Sequence, residues 1–543
     1  MRQLTGRHAP RQARRLFSMT PACDYGQNLQ DHRFTRTGRW ASRDQTVNQG
    51  VKMMILQSLT SKLMMAVAAL CFAMPAQADD TAPVPKPEEV AAQAYLYGLQ
   101  QAIYYGTRWT YTQNEATTNA VLPGLNQFYW IRKQITPDYP IVTPNATTLY
   151  GSGFLDLRAG PVVVEMPEIT DRYFSLQIQD QYGIFRLIVG SPFNGTEARK
   201  YILVPPGFTG DVPADFPTTD IVKWPALTAF AIVRMAVENN SAAEFKILND
   251  LQDQVTMTPL ADWLANDHNG IAQADRKKVL GDFPIPDGMP EYQFGQVDKQ
   301  TPEQYFTLLS VILNDPTMPT DADSLMEVEM LKQLEAFNIG KGLTFDWDTL
   351  TAEQQKALET GFKAGFDNTR KALKTSMIDM NGWGITRNEG GFETHWLDRA
   401  VIADAAWGAP DKNISHVGGF LFTDADGELF SGKNKYTLTF GMNDLPPVTQ
   451  FWSIPIYDAN GYFVANEINR YTVNSFMLEA GDITPKDDKL VFYIQHEKPT
   501  DPEQAKNWLP APPDGFRFAA RFYGPYAPIV NGTYDMPKVV RVK

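Results

Sequence analysis

Residues 516–523 read Phe-Arg-Phe-Ala-Ala-Arg-Phe-Tyr, and apolar residues occupy every second position of this stretch. Alternation with a period of two is typical of a β-strand with one buried face. The same period recurs in three further stretches, Phe174–Gln179, Tyr436–Phe440 and Leu490–Ile494. Glycines and prolines separate these stretches, and the pairs Asp426-Gly427 and Asn460-Gly461 suit hairpin turns. The pattern predicts a β-rich protein whose succession of short strands and turns is typical of a β-sandwich.

The middle of the chain has a helical pattern instead. Three N-cap signatures precede apolar residues at helical spacing: Ser241-x-x-Glu244, Thr301-Pro302-Glu303-Gln304 and Thr351-x-x-Gln354. We therefore predict an N-terminal domain over residues 79–235 (a helix plus a β-sandwich), a helical section over 236–380 and a C-terminal β-sandwich domain over 381–543. The predicted fold class is α+β and β-rich, with two antiparallel β-sandwich domains on either side of the helical section.

The first 78 residues predict a leader that is not part of the fold. Lys62, the uncharged apolar run Leu63–Ala76 and the small-residue site Ala76-Gln77-Ala78 are typical of a secretory signal peptide over residues 53–78. The mature chain would begin at Asp79, and we expect a periplasmic or secreted bacterial protein. Residues 1–52 carry nine arginines and one lysine against three aspartates. We favour a start codon assigned too far upstream, and a genuine basic extension is the alternative.

Removal of the leader changes the charge and the cysteine content. Residues 1–78 hold 11 of the 49 basic and 3 of the 62 acidic residues, which leaves 38 basic and 59 acidic residues in the mature chain. A net charge of −21 disfavours binding to nucleic acid and to anionic membrane surfaces. Cys23 and Cys71 both lie in the leader. A cysteine-free mature chain excludes disulfides, thiolate nucleophiles and cysteine-ligated metals.

The sequence contains none of the familiar catalytic motifs: no GxSxG elbow, phosphate loop, HExxH or dinucleotide fingerprint. Two acidic clusters could in principle bind a metal, Glu393-x-His395-x-x-Asp398 and Asp424-x-Asp426. A polar helix start and a hairpin turn are the favoured interpretations, because the later ligands of a calcium loop are missing. We predict neither a metal nor a cofactor, and whether the protein is an enzyme stays open.

Two strand faces carry polar side chains that could line a cleft. Arg517 and Arg521 share one face of the 516–523 strand, with Tyr523 beside them. Ser175, Gln177 and Gln179 form a polar row on another strand. Either set could bind a ligand that bears hydroxyl or carboxylate groups. The alternative, which we favour, is an ordinary sheet face in contact with water.

Several motifs resemble two families of unknown function. Thr143-Pro-Asn-Ala-Thr-Thr-Leu-Tyr150, Leu155-Asp-Leu157, Gly160-Pro-Val-Val163 and Arg172-Tyr-Phe174 resemble domain of unknown function 1254 (DUF1254). The C-terminal third resembles its partner family, DUF1214, in Asn443-Asp-Leu-Pro-Pro-Val448, Phe451-Trp-Ser453, Tyr457-Asp458, Asn466-x-x-x-Arg470-Tyr471 and Asn507-Trp-Leu-Pro-Ala-Pro512. The resemblance implies an envelope or secreted protein with jelly-roll-like domains, and it implies no particular activity. Thr147 stands where the DUF1254 motif usually has an aspartate, so an activity that needs that carboxylate would be missing here.

The candidate ligand-binding residues come from these motifs. Asn145 and Tyr150 combine turn chemistry with an aromatic hydroxyl, and Trp452, Arg470 and Tyr471 combine flat rings with a planar guanidinium. We predict that they border a concave surface. The alternative is that Trp452 and Trp508 pack a domain interface while Arg470 pairs with a buried acid.

Two functions follow from this reading. The first is binding or processing of a polar organic ligand, a sugar or an organic acid, in a cleft between the domains. The second is a structural or assembly role without chemistry, in which the protein forms homo-oligomers. We favour the first. We predict no nucleic-acid partner and no membrane span after signal cleavage.

Overall fold

The computed structural model describes residues 85–116, 122–139, 142–286, 299–318, 324–388, 390–409 and 415–543. The predicted extension 1–52 and the predicted signal peptide 53–78 lie outside the described residues. Val84–Lys543 belong to one structural unit. The fold is mixed α/β and β-rich, with several antiparallel sheets. None of the helices in the described ranges is long and apolar enough to cross a membrane.

The helices lie at the start, in the middle and near the end of this unit. In chain order they are α1 Pro87–Thr112, α2 Ala242–Gln252, α3 Leu260–Ala265, α4 Pro302–Asn314, α5 Leu325–Leu334, α6 Ala352–Thr375, α7 Trp396–Ala405, α8 Ser475–Glu479, α9 Pro502–Lys506 and α10 Ala527–Val530.

The strands form two sheets in each half of the unit. In chain order they are β1 Tyr129–Trp130, β2 Thr148–Asp156, β3 Val162–Met166, β4 Phe174–Gln179, β5 Phe185–Gly190, β6 Arg199–Val204, β7 Ile221–Lys223, β8 Thr228–Ala236, β9 Thr256–Pro259, β10 Ile378–Met380, β11 Trp383–Ile385, β12 His416–Leu421, β13 Tyr436–Gly441, β14 Val448–Asp458, β15 Thr472–Asn474, β16 Lys489–Gln495, β17 Trp508–Pro510, β18 Phe516–Pro525 and β19 Val540–Arg541.

The larger sheet of each half borders the candidate site. In the N-terminal half its order is β1-β2-β8-β4-β5, which we call the N-terminal sheet. In the C-terminal half the order is β10-β11-β12-β18-β14-β15, which we call the C-terminal sheet. The smaller sheets have the orders β7-β6-β3-β9 and β17-β16-β13-β19. Each smaller sheet contributes apolar residues to the same core as the larger sheet of its half.

Two pairings differ from the expected purely antiparallel sheets. Strand β7 pairs parallel with β6, and β17 pairs parallel with β16. Each of these short strands lies at the edge of its sheet. The chain returns to that edge through a connection of more than ten residues, which parallel pairing requires and a tight hairpin does not allow.

The helix caps predicted from the sequence are confirmed. Thr301 and Gln304 form a reciprocal capping box at the start of α4, and Thr351 and Gln354 form one at α6. The Ser241 hydroxyl accepts the backbone N–H of Glu244 at 3.2 Å. The Glu244 side chain, however, contacts Arg172 at 2.7 Å instead of closing a box. Helix α1 packs against α6 and α7, so the helices bury an aromatic-rich core of their own.

The polar row of β4 is not the solvated face that we expected. All six residues of β4 are buried, and Ser175, Gln177 and Gln179 are at most 1% exposed. The error has a physical cause. Alternation predicts which residues share a face, but it does not predict that a distant segment will cover the polar face. Here that segment includes Ser415, whose hydroxyl contacts Gln177.

Candidate ligand site between the two halves

Residues 143–147, which we call the Asn145 turn, lead into β2 and touch the C-terminal half. The Asn145 side-chain oxygen accepts the Thr147 backbone N–H at 2.8 Å and the Thr147 hydroxyl at 2.9 Å. This Asx-type geometry fixes the orientation of the amide. The amide nitrogen must then face the opposite way, and it donates to the hydroxyls of Tyr150 at 3.1 Å and Tyr523 at 2.6 Å. Asn145 therefore joins one tyrosine from each half.

The backbone of the Asn145 turn is held by strands of the C-terminal sheet. Arg521 donates to the carbonyl of Thr143 at 2.7 Å, and the Tyr457 hydroxyl donates to the carbonyl of Pro144 at 2.7 Å. The Thr143 N–H donates to the carbonyl of Gly461 at 2.7 Å. These bonds satisfy backbone groups that would otherwise be buried without partners.

Arg521 lies on a central strand of the C-terminal sheet, and its cross-strand neighbours are small. Its partner on β12 is Gly418, and its partner on β14 is Ser453. A Cβ atom built on Gly418 would meet nothing closer than the Ala520 carbonyl at 3.9 Å. Gly418 and Arg521 both keep some exposed surface, although their strands are central. Small neighbours thus leave open space above the β12 position that pairs with Arg521.

Arg234 approaches the same region from the N-terminal sheet. It lies directly opposite Tyr150 on β2 and Ser175 on β4, and it is 3% exposed. Its guanidinium donates to the Gln177 side-chain oxygen and, at 2.7 Å, to the Gly408 carbonyl. The guanidinium carbon lies 5.2 Å from the centroid of the Tyr150 ring, which is a cation–π contact.

A chain of hydroxyl and amide groups surrounds these residues on the buried side. Gln177 donates to the Ser415 hydroxyl at 3.0 Å, and Ser415 lies 3.1 Å from the Tyr173 hydroxyl. His416, the next residue, stacks on the Tyr523 ring with 5.0 Å between centroids. The network holds Tyr523 and the Gln177 partner of Arg234 in place, because almost every member is bonded and buried.

We call Asn145, Tyr150, Arg234, Arg521 and Tyr523 the arginine–tyrosine site. Within the described part of the chain, neither arginine of this site forms an ion pair with a carboxylate. The Nε atoms of both arginines are buried, and they have no hydrogen-bond partner among the same residues. Burying a cation without an anionic partner is costly, so this arrangement is unusual for a purely structural role.

The two cations shift the pKa values of their neighbours. Burial alone raises the pKa of Tyr150, but the guanidinium groups of Arg234 and Arg521 outweigh it, so this pKa lies below its ordinary value. Burial, reinforced by the same two arginines, holds the pKa of His416 well below its ordinary value. Burial raises the pKa of Tyr523. The site therefore favours a neutral histidine and disfavours further positive charge.

The structure brings together only part of the residues predicted as ligand-binding. Asn145 and Tyr150 are in contact, and Tyr523 joins them. Trp452 is 3% exposed and stacks on Phe440 inside the C-terminal core. Tyr471 shares an apolar cluster with Ala146 of the Asn145 turn, but its hydroxyl contacts Asn469 at 3.3 Å.

Arg470 points into the C-terminal half. Its guanidinium donates to the carbonyls of Lys506 at 2.9 Å and Trp508 at 2.8 Å, and no acid among the described residues pairs with it. Trp508 and Tyr471 line a pocket of about 450 Å³ in this half. A ligand role for Trp452, Arg470 and Tyr471 stays a prediction.

The two acidic clusters weighed as metal sites have local partners. Asp398 accepts the Asn388 amide at 2.6 Å, and a His395 ring nitrogen lies 3.0 Å from the Phe392 carbonyl. Asp424 accepts the backbone N–H groups of Asp426 and Glu428, both at 3.0 Å, which is a hairpin turn with Gly427 at positive φ.

Both families suggested by the motifs match the chain. Residues 125–259 match the family described as protein of unknown function DUF1254, and residues 419–527 match protein of unknown function DUF1214. The chain combines a DUF1254 domain with a DUF1214 domain. The Asn145 turn, Tyr150 and Arg234 lie in the DUF1254 match, and Arg521 and Tyr523 lie in the DUF1214 match. The site thus draws on both domains.

Solved structures resemble the fold. The VPA0106 protein from Vibrio parahaemolyticus is 23% identical with a TM-score of 0.57, over 84% of this chain and all of that one. An uncharacterized protein from Burkholderia cenocepacia is 11% identical with a TM-score of 0.37, over 84% of this chain and 94% of its own. The similarity to the first structure supports the fold alone. The similarity to the second is too low to support the fold. No curated protein matches the chain.

Sequence reasoning missed Arg234, His416 and Gly418 as members of one region. Arg234 did carry a signal, because it is the single charged residue of the apolar stretch Thr228–Ala236. An arginine inside a strand that is buried at every position needs a partner or a ligand. Gly418 carried no comparable signal, since its role depends on its register with Arg521.

Proposed function

We propose that the protein binds a small organic acid in the arginine–tyrosine site, between the DUF1254 and DUF1214 domains. One observation carries the proposal: the two domains bring an arginine each to the segment 143–150, Arg234 at the Tyr150 ring and Arg521 at the Thr143 carbonyl, and neither has a carboxylate partner among the described residues. An anionic ligand would supply the missing charge. The open space beside Gly418 gives such a ligand a place next to Arg521.

The polarity of the site favours an organic acid over a sugar. Guanidinium groups donate hydrogen bonds and accept none, and two of them lie here. A sugar hydroxyl also needs acceptors, which carboxylate side chains usually supply, and among the residues that the structure describes no carboxylate pairs with either arginine. A ligand carboxylate needs donors only.

We propose that the two packed sheets of each domain form a sandwich-like, jelly-roll-like frame that holds the site between them. We also propose that the protein works outside the cytoplasm, on the basis of the signal peptide predicted for residues 53–78. N-terminal sequencing of protein from the native host should then find Asp79 first; retention of residues 53–78 would contradict this location.

A ligand screen tests the proposal. Thermal shift and calorimetry on protein starting at Asp79 should detect binding of at least one acid from a panel of acetate, pyruvate, succinate, 2-oxoglutarate, citrate and benzoate. A ligand present at a hundred times its Kd stabilises the folded state by about 2.7 kcal/mol. Glucose and glycerol serve as neutral controls and should give no shift.

The variant Arg521→Gln separates this function from a structural one. It removes the charge but keeps an amide that can donate to the Thr143 carbonyl, so we expect a folded protein that binds the acid at least tenfold more weakly. If no acid binds the unaltered protein, or if Arg521→Gln binds it equally well, the proposal is wrong. The assembly role named above would then be the better account.

A further inference from the structure

We infer that Tyr150 exchanges a proton with the bound acid, so that the protein is an enzyme that enolises a small oxo-carboxylic acid. The inference rests on the proposed function, because it needs the acid to occupy the arginine–tyrosine site. It adds an activity, an acid–base residue and a narrower ligand class: a carboxylate that also carries a ketone next to a C–H group.

The Asn145 amide sets the direction of the Tyr150 hydroxyl. Both N–H groups of this amide are used, one on the oxygen of Tyr150 and one on that of Tyr523. The Tyr150 oxygen is therefore an acceptor in its bond with Asn145, and that bond leaves its own proton unused. The same donor would also stabilise the oxygen after it has lost the proton.

Of the two tyrosines, only Tyr150 can meet a ligand. Tyr523 is fully buried, since its ring lies between Phe451 at 3.9 Å and His416 at 5.0 Å. Tyr150 keeps part of its surface exposed. We therefore assign Tyr150 as the group that touches the ligand and Tyr523 as a residue that helps to position Asn145.

The arginines stabilise both negative charges that the reaction needs. Arg234 faces the Tyr150 ring, and with Arg521 it favours the phenolate form, in line with the lowered pKa of Tyr150. The pKa of Tyr523, in contrast, is raised. Fixed cations also stabilise an enolate, whose charge develops on oxygen.

The step is balanced without a co-reactant. The Tyr150 phenolate takes a proton from the carbon next to the ketone, and the C–H bond breaks. Its electron pair forms the C=C bond of the enolate, while the ketone C=O pair moves onto oxygen beside Arg521 or Arg234. Return of a proton from Tyr150 to the same carbon restores the ligand. In D2O the tyrosine exchanges with solvent, so each cycle introduces deuterium into the ligand.

Proton NMR in D2O measures this exchange directly, with pyruvate and 2-oxoglutarate as probes and calorimetry as a separate measure of binding. We expect the protein to accelerate loss of the C–H signal next to the ketone at least a hundredfold over buffer. Tyr150→Phe keeps the ring that faces Arg234, so it should bind the probe within about threefold and lose the acceleration.

Tyr436→Phe is the matched control, because it removes another buried hydroxyl, one that contacts Ser431 and Asn434 in the C-terminal core. Tyr436→Phe should accelerate the loss of the C–H signal of the probe as much as the unaltered protein does. Binding without accelerated exchange, or equal exchange by Tyr150→Phe, would overturn the inference and leave the proposed function intact. Absence of binding by every acid of the panel would overturn both.

Discussion

Tyr150 and Arg234 lie directly opposite each other on β2 and β8, and the guanidinium carbon of Arg234 is 5.2 Å from the centroid of the tyrosine ring. The pair belongs to the DUF1254 domain, and a strand of the DUF1214 domain brings Arg521 to the other side of the Asn145 turn. Two cations without carboxylate partners among the described residues should shift the titration of the phenol that they flank.

We predict that Tyr150 ionises below the ordinary tyrosine pKa. Ultraviolet difference spectra should show one phenolate that forms at lower pH than the rest and is missing in Tyr150→Phe. Because the pKa of Tyr150 is lowered by folding, ionisation stabilises the folded state. The stability advantage over Tyr150→Phe should be absent below the folded pKa, grow as pH rises towards about 10, and then stay constant. An advantage that shrinks over this range would contradict the lowered pKa.

His416 should stay neutral through the range in which free histidine titrates. Its pKa is held well below 6.5 by burial and by the two arginines. The unfolded chain takes up a proton near pH 6.5 and the folded chain does not, so stability is lost as pH falls below that value. Chemical denaturation at pH 7 and pH 5 should show a loss that approaches about 1.4 kcal/mol per pH unit. Between the same two pH values, His416→Gln should lose less unfolding free energy. An equal loss would contradict the lowered pKa of His416.

Filling the space beside Arg521 should block the ligand without harming the fold. In Gly418→Val the new methyl groups enter open space, and valine suits a strand better than glycine. We expect stability to be unchanged or raised by up to about 1 kcal/mol, and acid binding to weaken at least tenfold in calorimetry. Gly419→Ala is the control, since its Cβ meets Phe522 at 3.6 Å on the other face. Loss of binding in both variants would argue against a local effect.

Arg172 and Arg521 should respond differently to substitution. Arg172→Ala leaves Glu244 buried without its 2.7 Å partner, and we expect a loss of about 3–5 kcal/mol in unfolding free energy. Arg521→Gln leaves no carboxylate of the described residues without its partner, so a loss under about 1.5 kcal/mol is expected. Urea denaturation of both variants measures the difference. A larger loss for Arg521→Gln would mean that Arg521 acts mainly in folding.

Arg470 was expected to be either a structural residue or part of a ligand surface. Its bonds to the carbonyls of Lys506 and Trp508 favour the structural role. Arg470→Ala should lower stability by about 1.5–3 kcal/mol, the range for hydrogen bonds to a charged group, and leave acid binding within twofold. Denaturation and calorimetry on one preparation test both points. A stable variant that no longer binds would reverse this assignment.

Local patterns predicted local structure well in this chain. Thr301–Gln304 and Thr351–Gln354 form capping boxes, as the three-residue spacing of the partners predicts. The alternation in 516–523 gave the correct faces of β18, with Arg517 and Arg521 opposite the apolar core. Such features depend on neighbours in sequence and on the period of a single strand.

The candidate site depends on long-range contacts, which local patterns do not encode. Asn145 and Tyr523 are 378 residues apart in sequence, yet their side chains lie 2.6 Å apart. No spacing rule links Arg234 to Tyr150, and the opening beside Arg521 depends on which residue of β12 is in register with it. Ser175 and Gln177 were identified as polar, but the segment that covers them lies about 240 residues away along the chain.

The bonds from Arg521 and Tyr457 to the Asn145 turn also mean that the site needs both domains at once. Asn145, Tyr150 and Arg234 belong to the DUF1254 domain, and Arg521 and Tyr523 belong to the DUF1214 domain. Neither domain completes the site alone. A gene split between the two domains would therefore abolish the proposed acid binding even if both products folded. Conversely, the two fragments expressed together should regain acid binding only when they reassemble, which makes this chain a natural scaffold for a split reporter.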